Sequence, residues 1–323
     1  MQKPALLTTG PMMALIEEGI AKAFLVHRLH EARDREGLLR RIGPEVRAIC
    51  TGSHTGVKTD AALIGRFPSL RIIGNFGVGY DSIDMSAAVQ RGIIVTNTPD
   101  VLTEEVADTA LGLLLVTVRE FYPAENWLRE GRWARDGDYP LTASLRDRTV
   151  GIAGFGRIGK AIARRIEAFG LPVSYFARAR QPGVNNRYYG DLLAMARDVD
   201  TLIVAIPGGP VTHRLIDAPV LDALGPRGIF INMARGSVVD EPALIAALRE
   251  KRILRAGLDV FLNEPTSDPA FLSLDNVSLF PHLGSATVAT RDKMGALVVT
   301  NLAAFAAGLP PKTPVPETPF KGW

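Results

Sequence analysis

Two doubly wound α/β domains are predicted by three features of the 323-residue sequence. Short β-rich apolar runs alternate with helical patterns from end to end, which calls for parallel sheets with helices on both faces. The alternation starts afresh after Leu145. The length fits about two domains of roughly 150 residues each.

The first series places strands near Ala5–Thr9, Ala23–Leu29, Val46–Thr51, Arg71–Phe76 and Ile93–Asn97. Pro99 ends the last of these, and Thr103–Val118 reads as one long helix with Thr103 as its N-cap and Glu104 and Glu105 at its positive end. The second series places strands near Thr149–Ala153, Val173–Phe176, Leu202–Ile206, Ile229–Met233, Ala256–Val260 and Val277–Phe280, a count of six that completes a dinucleotide-binding sheet. A last helix near Thr287–Ala307 precedes a Pro-rich tail, Pro310 to Pro319. That helix is expected to cross back onto the first domain. The expected division is therefore 1–99 with 287–323, against 100–286, the second part including the helix and arm 103–148.

Composition narrows the class. Hydrophobic residues make 47% and charged residues 22%, the balance of a compact soluble chain. A net charge of +3 with no block of Lys/Arg gives no nucleic-acid footprint. Cys50 is the only cysteine, so no disulfide framework or cysteine-rich zinc site can be built, no metal is expected, and a reducing compartment fits. Met1–Gly10 lacks a signal-peptide pattern, and Ala110–Val118 is about half a membrane span. Phe320–Trp323 is no lipidation or peroxisomal signal. A cytoplasmic protein without membrane or nucleic-acid partners is the expectation.

The strand ending at Ala153 runs directly into Gly154-Phe155-Gly156-Arg157-Ile158-Gly159 and then into a helix with Ile158, Ile162, Ile166 and Phe169 on one side. Strand, glycines and helix in this order make a dinucleotide fingerprint. Gly154 permits the tight turn, Gly156 lets backbone N–H groups approach the pyrophosphate, and Gly159 allows close helix–strand packing. The diphosphate would sit on the helix N-terminus. An NAD site places an acid at the end of the next strand. Here Tyr175-Phe176-Ala177-Arg178-Ala179-Arg180 offers two arginines instead, suited to a 2′-phosphate, although exposed loop arginines are often merely solvated. NADP(H) is the expected cofactor, with NAD(H) as the weaker alternative.

Three polar groups stand at three strand exits of the second series: Arg235 in Asn232-Met233-Ala234-Arg235-Gly236, Glu264 before Pro265, and His282 after Pro281. Open α/β sheets place their chemistry at those ends, and an imidazole there can shuttle a proton near neutral pH. Singly, each has a plain structural reading; their conjunction is more telling. His54, in Thr51-Gly52-Ser53-His54-Thr55, follows a first-domain strand and is a second, lesser candidate for lining a substrate mouth.

With these residues in view, the sequence resembles the D-isomer-specific 2-hydroxyacid dehydrogenases over nearly its whole length. The most specific blocks are Asn75–Asp81, Gly154–Gly159, Asn232–Asp240, Gly257–Pro265 and Pro281–Ser285. Within that family it looks most like NADPH-preferring hydroxypyruvate/glyoxylate reductases, through the paired arginines and the Leu258-Asp259-Val260-Phe261 and Pro281–Ser285 stretches.

The resemblance implies a flavodoxin-like substrate domain, a Rossmann cofactor domain and an active site in the cleft between them. It implies that Arg235 holds the substrate's carboxylate and carbonyl. Glu264 would orient His282 and favour its protonated form, and His282 would donate the proton. Asp259 would contact the nicotinamide carboxamide, while Val78 and Gly79 would cradle the carboxylate with backbone N–H groups. Ile206, Pro207, Thr212, Met233, Ala234 and Gly284 complete the expected cofactor contacts, and Ser285 the substrate contacts. Many members carry isoleucine or glycine-rich variants where this chain has Met233-Ala234, a departure expected to reshape the nicotinamide pocket without abolishing binding.

The physics agrees, since hydride reduction of a ketone leaves negative charge on oxygen that needs a cation and a proton donor. A small 2-keto acid reduced to its D-2-hydroxy acid is the expected reaction. A sister activity on a bulkier keto acid or on 3-phosphoglycerate is the nearest rival, and Asn75–Ser86 offers no cation for a phosphate. A non-catalytic dinucleotide sensor is the more distant one.

Phe121–Arg148 is long for a connection and holds Tyr122, Trp127, Trp133 and Tyr139. Such aromatics are enriched at interface anchors, the plain alternative being a satellite core under a long loop. In the resembled reductases the arm embraces a second subunit, with a tryptophan at about the Trp133 position reaching the neighbour's substrate pocket. A homodimer is expected, the linker helix and this arm forming its contact.

Overall fold

A computed structural model describes residues 3–52 and 55–322. By its internal contacts the chain divides into two compact units, 1–102 with 287–323 and 103–286. Each is built on its own parallel sheet.

The first sheet contains β1 (Ala5–Thr8), β2 (Leu25–Arg28), β3 (Val46–Thr51), β4 (Ile72–Asn75) and β5 (Ile94–Thr96), in the order β2-β1-β3-β4-β5. This is the flavodoxin-like order. All four residues of β1 and of β4 are buried, the continuous burial that helices on both faces of a parallel sheet produce. Cys50, in β3, is wholly buried. The helices of this unit are α1 (Ala14–Ala23), α2 (Arg35–Ile42), α3 (Ala61–Gly65) and α4 (Met85–Gln90). Asp34, Asp60 and Asp84 cap the last three, each accepting the N–H three residues on.

The second unit opens with α5 (Thr103–Arg119), followed by α6 (Phe121–Arg129) and α7 (Arg132–Asp136). Thr103, expected as a cap, is already helical; a turn through Asp100, at φ 70°, enters the helix directly. The sheet holds β6 (Val150–Ala153), β7 (Val173–Phe176), β8 (Arg187–Tyr189), β9 (Thr201–Val204), β10 (Ile229–Asn232), β11 (Arg255–Leu258) and β12 (Val277–Leu279). Between them run α8 (Arg157–Ala168), α9 (Leu192–Asp198), α10 (Ala218–Leu224), α11 (Glu241–Arg249) and α12 (Pro269–Leu272). The order is β12-β11-β10-β9-β6-β7-β8, all parallel. Counted within the unit this is 3-2-1-4-5-6 with a seventh strand added, and the switch point lies between β6 and β9.

The sheet thus has seven strands where six were expected, and the one missed is β8. It is a three-residue edge strand with only Tyr189 buried, too short to show an alternation. Its place is set by side chains: Asn186 Nδ2 donates to Val173 O at 3.1 Å, and Tyr189 and Arg187 both donate to Asp198.

The last helix, α13 (Val288–Ala306), returns to the first unit. Small residues let it come close. A Cβ on Gly74 of β4 would stand 3.0 Å from Leu302 Cγ, and one on Gly19 of α1 would stand 2.6 Å from the methyls of Val299.

Candidate active site

The glycine fingerprint has the geometry its spacing demands. Gly154 adopts φ 96°, and a Cβ there would lie 2.6 Å from Ala205 O. A Cβ on Gly159 would lie 2.0 Å from Gly154 O, so only glycine lets α8 approach β6 this closely. A Cβ on Gly156 would meet open space, the room that a diphosphate against the backbone needs. Gly156 caps α8 with no side-chain hydrogen bond, so the positive end of a twelve-residue helix is left for an anion. Phe155 is buried, stacked on Tyr175 at 4.3 Å, whereas Arg157 is exposed and Ile158 half-buried. These residues fit a dinucleotide.

Arg178 and Arg180 follow β7, both exposed, and neither meets a carboxylate among the described residues. Their segment is tied to the fingerprint by Gln181. Its Nε2 donates to Phe155 O at 2.8 Å and its N–H to the Tyr175 hydroxyl at 2.9 Å. Past β9, Ile206 and Pro207 enter a loop closed by the Thr212 hydroxyl, which donates to Pro207 O at 2.8 Å.

The exits of β10, β11 and β12 are joined by hydrogen bonds. After β10, Asn232 accepts from Ala234 N–H at 3.0 Å and donates to Arg235 O at 3.1 Å, fixing the turn that carries the guanidinium. Met233 and Ala234 are buried there. A Cβ on Gly236 would fall 2.0 Å from Phe261 C, so this turn lies directly against the segment after β11. That segment holds Asp259, 2% exposed. Its carbonyl accepts from His282 N–H at 2.9 Å, and its carboxylate oxygens accept from Leu283 N–H at 2.6 Å and Gly284 N–H at 2.9 Å. Burial pushes the Asp259 carboxyl up, against those two N–H groups and His282. The loop arrives with Gly284 and Ser285 buried and His282 at φ 54°, a left-handed backbone few side chains adopt.

Glu264 bridges Phe261 and His282. Its Oε1 accepts from Phe261 N–H at 3.0 Å, and its Oε2 lies 2.7 Å from His282 Nδ1. That contact leaves Nε2 without a hydrogen-bond partner among the described residues. Burial raises the Glu264 carboxyl, but His282, the Phe261 N–H and the nearby Arg235 outweigh it and hold the group below its ordinary range.

Glu241, at the start of α11, was not legible as part of this arrangement. It is 6% exposed and accepts from Leu262 N–H at 2.7 Å, clasping the Glu264 segment from behind. Burial raises its carboxyl. An acid in the first turn of a helix reads from sequence as a dipole partner, which hid this contact.

Val78 and Gly79 lie in the first unit, after β4. The carbonyls around them are all taken. Asn75 Nδ2 donates to Gly77 O and Gly79 O at 3.0 and 2.9 Å, Thr98 N–H to Gly77 O at 3.0 Å, and Asn97 Nδ2 to Val78 O at 2.8 Å. The Val78 and Gly79 N–H groups meet no acceptor among the described residues. In the arm, Trp133 is 56% exposed and donates to Asp138 at 2.9 Å. His54 lies outside the described residues.

The model of the D-isomer specific 2-hydroxyacid dehydrogenase NAD binding domain matches residues 111–284. Hydroxyphenylpyruvate reductase of Plectranthus scutellarioides is 43% identical over 98% of this chain and all of its own length. The chain belongs to the D-isomer specific 2-hydroxyacid dehydrogenases. It is also similar to a glyoxylate/hydroxypyruvate reductase A of Arabidopsis thaliana, at 42% identity over 98% of this chain and 100% of that one. Among solved structures it resembles an NADPH-dependent glyoxylate/hydroxypyruvate reductase from Sinorhizobium meliloti in complex with NADP and malonate. There the TM-score is 0.93 and the identity 50%, covering 99% of this chain and 98% of that one. In this dehydrogenase the fingerprint and the three joined strand exits therefore stand in one unit.

The state of Glu264 has a consequence for stability. A carboxyl held below its ordinary value contributes stability that is present above that value, 4.5, and is lost as the pH falls through the lowered one. Glu264→Gln should lower the melting temperature at neutral pH, and the gap to the parent should close as the pH falls below that value. A gap unchanged down to strongly acid pH would show that Glu264 is not the ionised partner.

Proposed function

We propose that this dehydrogenase reduces small 2-keto acids, glyoxylate and hydroxypyruvate, to D-2-hydroxy acids with NADPH. The observation that carries the reading is the 2.7 Å contact of His282 Nδ1 with Glu264, in the same unit as the Gly154–Gly159 fingerprint. The naming of its relatives as glyoxylate/hydroxypyruvate reductases, one of them NADPH-dependent, supports the substrate and the cofactor.

Gly154, Gly156 and the first turn of α8 would hold the diphosphate, and Arg178 with Arg180 the 2′-phosphate. NADPH supplies the hydride when bound. Arg235 would pair with the substrate's carboxylate and carbonyl oxygen, stabilising negative charge as it develops. Val78 and Gly79 would offer their unengaged N–H groups to the carboxylate. His282 would give the Nε2 proton to the new alkoxide, while Glu264 on Nδ1 holds the ring in register and stabilises its cationic form. Reduction is the favoured direction, because cells usually keep the NADPH pool reduced. A cytoplasmic location is part of the same proposal, supported by the NADPH reading and by a chain with one cysteine.

The dehydrogenase is also proposed to act as a homodimer through its arm. α6 and α7 expose Phe121, Tyr122, Leu128 and Trp133, an apolar display that a second subunit would cover. Inside the arm, Arg132 stacks on Trp127 at 3.6 Å and Trp127 meets Tyr139 edge-on at 5.5 Å, so the display is held in shape. Sedimentation at micromolar concentration should give a dimer; a fully active monomer would sink this assignment.

Mixing the protein with NADPH and glyoxylate, hydroxypyruvate or hydroxyphenylpyruvate, and following cofactor absorbance, tests the reaction directly. No turnover of the two smaller acids would refute the reading. His282→Ala should cut turnover by about 10²–10⁴-fold and leave NADPH affinity nearly unchanged, since it removes a proton donor and no phosphate contact. Near-normal turnover would remove His282 from the mechanism. Arg178→Ala with Arg180→Ala should weaken NADPH about a hundredfold or more and NADH far less, each charged hydrogen bond being worth roughly 1.5–3 kcal/mol. Equal losses for both cofactors would mean that the arginines do not meet the 2′-phosphate.

A further inference from the structure

After α13 the chain does not trail away. Residues 313–315 pair antiparallel with the outer edge of β5, with a bridge between Thr96 and Pro314 and a Val315 N–H bond to Val95 O at 2.9 Å, and a turn at 316–317 follows. Val315 is 1% exposed and joins the core of the first unit. Thr318 Oγ1 accepts from Val95 N–H at 2.9 Å. The segment thereby covers a sheet edge that would otherwise offer unpaired backbone. Edge protection would need no more than this.

Two further contacts lead from the segment to the loop that carries Val78 and Gly79. Thr313 is seated by Asn301 of α13, which accepts from Lys312 and Thr313 N–H at 2.7 and 3.0 Å and donates to Thr313 Oγ1 at 2.8 Å. Thr313 Oγ1 then donates to Asn97 O at 2.7 Å, and Asn97 N–H to Thr313 O at 3.3 Å. Asn97 in turn donates through Nδ2 to Val78 O at 2.8 Å. On the other side of the loop the Tyr80 hydroxyl lies 3.1 Å from both carboxylate oxygens of Glu317. Burial together with Glu317 pushes that hydroxyl up to about 12, so it stays a donor at any working pH. The loop is thus gripped at Val78 and at Tyr80, on either side of Gly79.

We infer that Thr313 and Glu317 are positioning residues, which hold the Val78–Tyr80 loop so that its N–H groups face an anionic substrate. The inference rests on the reading of that loop as the seat of the substrate carboxylate. With the carbonyls of Gly77, Val78 and Gly79 all occupied, the loop cannot turn its peptide planes without breaking a bond. The tail supplies the fixed end of that constraint. Its effect belongs in the affinity for keto acid, since neither residue touches the phosphate cradle or the Glu264–His282 pair.

The test is the double variant Thr313→Val with Glu317→Ala, beside the conservative pair Thr313→Ser with Glu317→Gln, which keeps a hydroxyl and an acceptor. The first should raise KM for glyoxylate by about tenfold, the scale of one or two lost hydrogen bonds. Its kcat should stay within about twofold and its NADPH affinity should be unchanged, while the conservative pair should restore KM. Hydrogen exchange at the amides of Thr98 and Ile83, which donate to Gly77 O and Tyr80 O of the loop, measured without substrate, should speed up in the first variant and not in the second. A lowered melting temperature with unchanged KM and unchanged loop exchange would reduce the tail to edge protection and overturn the inference. Faster exchange with unchanged KM would overturn its substrate part. Should the parent enzyme fail to reduce glyoxylate, the functional reading fails, and the exchange measurement alone still decides whether the tail holds the loop.

Discussion

The unit that carries the fingerprint depends on which N–H groups one buried acidic residue accepts. Asp259 leaves β11 almost wholly enclosed, and its backbone carbonyl and two side-chain oxygens take the N–H groups of His282, Leu283 and Gly284 in succession. Three consecutive amides anchored on one residue leave the loop after β12 a single course. His282 accordingly adopts its left-handed backbone and places Nδ1 on Glu264. The enclosure raises the cost of ionising Asp259 while the amides lower it, so the loop and the charge support each other. A substitution at Asp259 would release the Leu283 and Gly284 N–H groups while the backbone bond to His282 N–H remained.

Acids are used in two ways at the helix starts. Asp34, Asp60, Asp84, Asp191, Asp217, Asp240 and Asp268 each accept a first-turn N–H of the helix they precede. α8 is treated differently. Gly156 brings no side chain, and the nearest charges in its first turns are Arg157 and Lys160 rather than acids. α1, α6 and α7 also begin without a side-chain cap, but at α8 the uncapped N–H groups adjoin the open space around Gly156, where an anion can complete them.

Much of this was legible in the sequence because the responsible residues act locally. Gly154 and Gly159 answer to contacts within a few residues or on the adjacent strand, and the long helix from Thr103 follows from an apolar run bounded by charge. The parallel order of the sheets follows from alternation and connection length. What was not legible acts over distance or without a pattern. β8 is held by Asn186, Tyr189 and Asp198 rather than by alternation. Glu241 resembles any acid in a helix's first turn, yet it clasps Leu262. Thr313 and Asn97 stand 216 residues apart, and nothing in a Pro-rich tail announces that it will close on a loop after β4.

The setting of Cys50 separates the two units chemically. It stands in β3, the middle strand of the first sheet, wholly enclosed, and burial pushes its thiol up to about 12. Thiolate is the reactive form, so in the folded chain this sulfur is closed to alkylating and oxidising reagents. The chain has no other cysteine, and the second unit therefore carries no thiol at all. Reactivity toward such reagents is then a private signal of the first sheet coming apart, silent to any opening confined to the cofactor-binding half.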